Sequence, residues 1–222
     1  MSQFIILGTS HIAQESVNKI KSTIEIAKPA VVAVELDAMR LHALIHNPKS
    51  RISISAITKI GVKGYLFALL GSYIQKKLGK IVGLTPGSDM LTAVKVAHKN
   101  NIPVALIDRN IEITLKRFSQ TLTWAERFRF LGDIVKGLFF PKSQLKKYGN
   151  INLKTVPSKE LIKMLTTELK TRYPNVYKVL IAERNKYMIN QLKALSKKYP
   201  ETTILAVVGA GHQEEIENGL QI

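Results

Sequence analysis

The apolar positions change period along this chain, and the changes mark out its elements. Residues 3–7 (Gln-Phe-Ile-Ile-Leu) form a short apolar run ended by Gly8, which predicts a buried strand. Ile12, Val17, Ile20, Ile24 and Ala27 then recur at helical spacing over 12–27, and Pro29 closes that helix. Residues 30–36 (Ala-Val-Val-Ala-Val-Glu-Leu) read as a second buried strand. Strand, helix and strand make a βαβ unit, so a parallel pair is expected. A helix is predicted over 38–46. The stretch 52–84 breaks the rhythm: it is apolar nearly all round, its only charges are lysines, and it reads as a helical hairpin inserted at 49–86. A further helix follows, capped by Ser88 or Asp89.

Residues 102–108 read as a third buried strand, and 110–138 as a long helical stretch that breaks near Pro141. The segment 142–157 is basic and loop-like. Helices are predicted at 158–171 and 174–198, a last strand at 202–212, and a final helix after it. The expectation is a single α/β domain spanning 1–222, with a central, largely parallel sheet flanked by helices and interrupted by the hairpin.

Composition narrows the chemistry. The chain has 222 residues and no cysteine, so a metal site must use His, Asp or Glu. Its formal net charge is +17, with no acidic residue between Asp37 and Asp89 or between Asp133 and Glu160. Such blocks suit an anionic partner, and the basic stretch 49–81 is the expected contact with an anionic membrane surface. No basic leader precedes the first apolar run. The most apolar stretch, Gly64 to Gln75, is shorter than the roughly 20 residues a spanning helix needs. A cytoplasmic protein with a peripheral membrane contact is expected. An apolar hairpin surface also marks an interface, so a homodimer through it is expected. Nucleic-acid binding ranks last: it rests on charge alone, and the aromatics do not interleave with the basic runs.

Two similar frames stand at opposite ends of the chain: Gly8-Thr9-Ser10-His11 and Gly209-Ala210-Gly211-His212. Each follows an apolar strand-like run, with Gly8 and Gly209 placed to allow sharp strand-to-helix turns. In open α/β sheets ligands sit beyond the carboxyl ends of the strands. His11, Glu35, Asp108 and His212 all fall at such ends. Two imidazoles and a carboxylate, His11, His212 and Glu35, are a donor set for a catalytic divalent ion such as Mn, Co or Zn. A buried Glu35 otherwise needs an ion-pair partner, Arg40 or Arg109. Asp108, Arg109, Thr114 and Arg117 share one strand-to-helix junction, where the two arginines suit an anionic group. Glu183 and Arg184 sit mid-helix and either face the same crevice or lie on the helix surface. His42, His46 and His98 read as surface residues. Glycine-rich phosphate loops, a Gly-x-Ser-x-Gly elbow and His-Glu-x-x-His are absent from the sequence.

The ordered set Gly-Thr-Ser-His, Val-Glu-Leu-Asp with a following Arg, Ile-Asp-Arg with Thr-Leu-x-Arg, Glu-Arg-Asn and Val-Val-Gly-Ala-Gly-His resembles the TraB/PrgY/GumN family of pheromone-shutdown proteins. It is similar also to the Tiki proteases, which share the paired Gly-x-x-His motifs. The resemblance covers nearly the whole chain. It implies an α/β domain of the erythromycin-esterase and ChaN-like kind, and a metal-dependent peptidase. The matching functional positions are His11, Glu35, Arg40, Asp108, Arg109, Arg117, Glu183, Arg184 and His212. On this reading Glu35, Glu183, Asp108, Arg109 and Arg117 serve catalysis. Arg40, Arg184 and Thr114 contact a peptide, and His11, His212 and Glu35 hold the metal. The alternative is a non-enzymatic, membrane-associated regulator or tether that binds or sequesters a small peptide. Three departures stand out. Many family members continue Gly-His-x-x-Gly-Ile, whereas Glu215 stands here before Ile216; Asp89 precedes Met90 where relatives often have Glu; and the C-terminal membrane helices of many relatives are absent from this sequence.

Overall fold

A computed structural model describes residues 2–10, 14–46, 87–139 and 158–222, with five further positions between 58 and 69. The predicted hairpin at 49–86 and the basic segment 142–157 lie outside the described residues, apart from those five positions. His11 also lies outside them. In chain order the described elements are β1 (Gln3–Thr9), α1 (Gln14–Ala27), β2 (Val31–Val34), α2 (Ala38–His46), α3 (Ser88–Lys99) and β3 (Val104–Leu106). Then come α4 (Ile111–Thr121), α5 (Trp124–Phe139), α6 (Lys159–Arg172), α7 (Pro174–Tyr177), α8 (Glu183–Lys198), β4 (Thr203–Gly209) and α9 (Ala210–Leu220). A single π-helical turn, Lys178–Ala182, joins α7 to α8.

The four strands form one parallel sheet in the order β1-β4-β2-β3. The expected parallel pair therefore has a strand between its members: β4, last in the sequence, slots between β1 and β2. Its register runs from Gln3 opposite Thr203 to Thr9 opposite Gly209 on one side, and from Val31 opposite Ile204 to Val34 opposite Val207 on the other. Side chains alternate between the two faces of a strand, so both faces of this sheet need apolar residues. Leu205 and Val207 join Leu7, Val32 and Val34 under α1 and α3, against Ile20, Ile24, Met90 and Ala93. Ile204, Ala206 and Val208 join Ile6, Val31 and Ala33 under α8 and α9, against Met188, Leu192 and Ile216. Helices on both faces are what make the strand runs uniformly apolar.

Several boundaries differ from the sequence reading. The helical stretch 110–138 is two helices, because Thr123 and Glu126 form a reciprocal cap. The Glu126 amide donates to Thr123 Oγ1 (3.3 Å) and the Thr123 amide to Glu126 Oε2 (3.1 Å). Gly87, at φ 83°, occupies the N-cap of α3 without a side-chain bond, in place of Ser88 or Asp89. Asp89 instead turns into the core and accepts from Thr9 Oγ1 at 2.6 Å. Gly8 makes no turn. It lies within β1, where an added Cβ would stand 2.1 Å from Gln213 Oε1, so it permits the close approach of α9. The last strand ends at Gly209 rather than 212, which puts His212 in the first turn of α9.

Candidate functional site

The carboxyl ends of β2, β3 and β4 deliver Glu35, Asp108 and His212 to one edge of the sheet. All three are buried, at 3%, 5% and 6% exposure. Glu35 follows β2 directly, and its amide still bonds to the Val207 carbonyl (3.0 Å). Its carboxylate then reaches across β4: Oε2 accepts from the Gly209 amide at 2.6 Å and Oε1 from Arg184 Nη2. Arg184 is the hub. Its Nε donates to both oxygens of Asp108 (3.1 and 3.2 Å), and its Nη1 donates to the Leu180 carbonyl (3.1 Å) and lies 3.2 Å from His212 Nε2. His212 Nε2 is also 3.4 Å from Glu35 Oε1, and His212 Nδ1 is 2.5 Å from Asn185 Oδ1. Burial alone would pull the Arg184 guanidinium pKa down, but the Glu35 and Asp108 carboxylates outweigh it and raise it.

Arg40, at the start of α2, binds Asp108 through Nη2 and Asp37 through Nε (2.8 Å). Asp37 in turn caps α2 by accepting from the Met39 and Arg40 amides. A second group sits where α4 meets the π turn. Glu183 accepts from Arg109 Nη1 (3.0 Å) and from Arg117 Nη2 (2.7 Å), while Arg109 Nε donates to Thr114 Oγ1 (3.2 Å). The hydrogen bond from Arg117, reinforced by Arg109 and opposed by burial, holds the Glu183 carboxyl below its ordinary range. The two groups share a backbone link, since the Arg109 amide donates to Asp108 Oδ1 (2.7 Å). Among the described residues they contain four carboxylates (Glu35, Asp37, Asp108, Glu183) and four guanidiniums (Arg40, Arg109, Arg117, Arg184), equal in number.

The structure thus brings together every described residue the sequence pointed to. Among the described residues the arginine paired with Glu35 is Arg184, not Arg40 or Arg109. His42, His46 and His98 are exposed, as expected. Sequence reasoning missed Asn185, which holds His212, and Thr9 with Asp89. It also missed buried Ser16, whose hydroxyl bonds the amide and carbonyl of Ser10, the residue before His11 (3.0 and 3.3 Å). The Glu-Arg-Asn run was the available signal for Asn185, since one helical turn carries all three side chains.

A cavity of about 340 Å3 opens beside His212. Thr9 and Ser10, the turn from Gly209 to His212, and Ile162 and Leu165 of α6 bound it. A larger depression of about 520 Å3 is lined by α6 alone among the described residues and touches none of this chemistry. Among the described residues no three His, Asp or Glu side chains group closely enough to hold a metal. The donor chemistry nonetheless fits one side of such a site. An imidazole anchored through Nδ1 presents Nε2 next to a carboxylate, as ligating histidines do. Arg184 now satisfies both groups, and the remaining donor, His11, lies outside the described residues.

A parallel α/β sheet with a charged, histidine-bearing cluster and a cavity at the carboxyl ends of its strands defines a class of strand-edge binding or catalytic domains. Within that class the chain belongs to the TraB/PrgY/gumN family, whose pattern it matches over residues 2–221. It is 31% identical over 226 residues to an uncharacterized protein of Methanocaldococcus jannaschii, an alignment covering 98% of this chain and 55% of that protein. It is 24% identical over 242 residues to the human TraB domain-containing protein, covering 97% of this chain and 62% of the relative; the mouse protein matches equally. The chain thus spans little more than half the length of these relatives.

Proposed function

We propose that this chain is a hydrolase acting on peptides, with His212 at the centre of its site and a divalent ion (Mn, Co or Zn) as cofactor. One observation carries the reading: buried His212 directs Nε2 toward Glu35 at the strand edge, beside a cavity with an apolar wall. His212 and Glu35, with His11, would hold the ion. When bound, it would lower the pKa of a water molecule toward about 7 and polarise a carbonyl. The chain's own residues do the rest. Asn185 fixes the imidazole, and the Gly209 amide anchors Glu35. Arg184 neutralises Glu35 and Asp108 until ligand arrives. Arg117, the more exposed of the two guanidiniums on Glu183, would take a substrate carboxylate. Ile162 and Leu165 would favour an apolar substrate side chain.

The ion-pair set favours a second reading, in which the same groups are structural and the protein binds or sequesters a peptide without cleaving it. Under that reading residues 49–81 would be the contact with an anionic membrane or a second copy. Metal content by mass spectrometry of the purified chain, beside a His11→Ala, His212→Ala double variant, separates the two. The expected result is about one metal per parent chain and none in the variant, followed by cleavage of peptides from a screened library. No metal in either protein after incubation with Mn, Co and Zn would overturn the metalloenzyme reading.

A further inference from the structure

The ring of His212 has two nitrogens with different neighbours, and which one carries the proton decides what the ring can do. The chain of contacts behind Nδ1 settles it. Asn185 Oδ1 lies 2.5 Å from Nδ1, and the amide nitrogen of the same side chain, Nδ2, donates to Glu215 Oε2 at 2.6 Å. A carboxylate accepts only, so Glu215 forces the Asn185 amide to turn its nitrogen outward and its oxygen toward the ring. An oxygen facing Nδ1 requires Nδ1 to be the protonated nitrogen. Tyr177 closes the chain by donating its hydroxyl to Glu215 Oε1. Burial, then the hydrogen bond to Glu215, pushes the Tyr177 pKa up to about 12, so the hydroxyl keeps its proton at neutral pH. The other side of the ring agrees. Arg184 Nη1, 3.2 Å away, can only donate, so the neutral ring must present a lone pair at Nε2. Glu35 Oε1, at 3.4 Å, is already satisfied by Arg184 and does not compel a proton there.

We infer that Tyr177, Glu215 and Asn185 form a relay that locks His212 in its Nδ1–H tautomer and keeps the Nε2 lone pair facing Arg184 and Glu35 at the strand edge. This rests on the reading that His212 works through Nε2. Glu215 lies three residues after His212 on α9, so its carboxylate and the imidazole rise from one face of the helix. Tyr177 from α7 and Asn185 from α8 are both buried, so the relay is fixed by packing as well as by bonding. All three are positioning residues.

The test is the tautomer itself, read from long-range proton–nitrogen correlation spectra of the full chain labelled at histidine nitrogens. His212 is assigned by the signals lost in His212→Gln, in buffer alkaline enough to keep the ring neutral. The parent should show Nδ1 protonated and Nε2 bare, a pattern that metal ligation through Nε2 would leave in place. Glu215→Gln, which keeps shape but lets the amide of Asn185 turn over, should shift the population toward Nε2–H. Glu214→Gln, an exposed neighbour on the same helix, should leave the pattern unchanged. Asn185→Ala, which removes the oxygen facing Nδ1, should release the tautomer and serves if Glu215→Gln fails to fold; Tyr177→Phe leaves Glu215 an acceptor and should move the pattern least. An Nε2–H tautomer in the parent, or an unchanged pattern in both Glu215→Gln and Asn185→Ala, would overturn the relay. A parent with Nδ1–H and neither metal nor peptidase activity supports the relay while removing the hydrolase reading.

Discussion

Arg184 shows how much one side chain can carry in this protein. It is mostly buried, and it bonds Glu35, Asp108 and the Leu180 carbonyl at once. Removing a single partner from a buried ionic set leaves the others desolvated and uncompensated. Arg184→Leu should therefore destabilise the fold by about 3–5 kcal/mol, read as a lower midpoint in urea unfolding. A double variant that also replaces Glu35 by Gln should recover part of the loss. A loss no larger than that of an exposed arginine such as Arg117 would refute the hub role. The need for a partner was legible in the sequence, because a carboxylate after the run Val31–Val34 cannot be buried alone. The identity of the partner was not, since Arg184 lies 149 positions away in the chain.

Among the elements, the join between α7 and α8 matters most for the site. The π turn Lys178–Ala182 immediately precedes Glu183 and Arg184, and π turns inside helices frequently mark functional positions. Its Val179 and Leu180 carbonyls accept from Arg109 (3.5 Å) and Arg184 (3.1 Å), so the turn serves both charged groups. Glu183 ties this join to α4 through Arg109 and Arg117. Its folded pKa is lowered from an ordinary 4.5, so the ion pairs add stability above that pH. That contribution should fade as pH falls below 4.5 through the depressed value. Glu183→Gln should flatten this acid limb in urea midpoints measured against pH. Added salt should weaken the effect, because Arg117 is 45% exposed. An identical limb in parent and variant would remove Glu183 as its source. Helical periodicity gave α6 close to its true span, but it read α4 and α5 as one stretch and α7, the π turn and α8 as one helix; the Thr-x-x-Glu signature at 123–126 could have located the break between α4 and α5. The π turn left no such mark, because one extra residue in a turn barely disturbs the apolar spacing.

At the scale of the whole molecule, β4 is the keystone. It comes from the last fifth of the chain, yet it lies between β1 and β2 and contributes to both faces of the core. Without it β1 has no partner strand among the described residues. A chain truncated before Thr203 should show no cooperative thermal transition by circular dichroism, and a cooperative melt in that truncation would contradict the topology. Such long-range closure also predicts slow folding relative to helical proteins of this size. The sequence by itself determined the strands, most of the helices, and the chemistry-bearing residues at the strand ends, because apolar period and turn residues are local properties. It also marked His11, Glu35, Asp108 and His212 as groups at or just past strand ends, and the three of them that are described do meet at one edge of the sheet. Only the tertiary structure decided that β4 sits inside the sheet, that Arg184 is the common counter-ion, and that Asn185 holds the imidazole. These facts depend on which distant segments meet, and that is set by packing both faces of one sheet at once rather than by any local pattern.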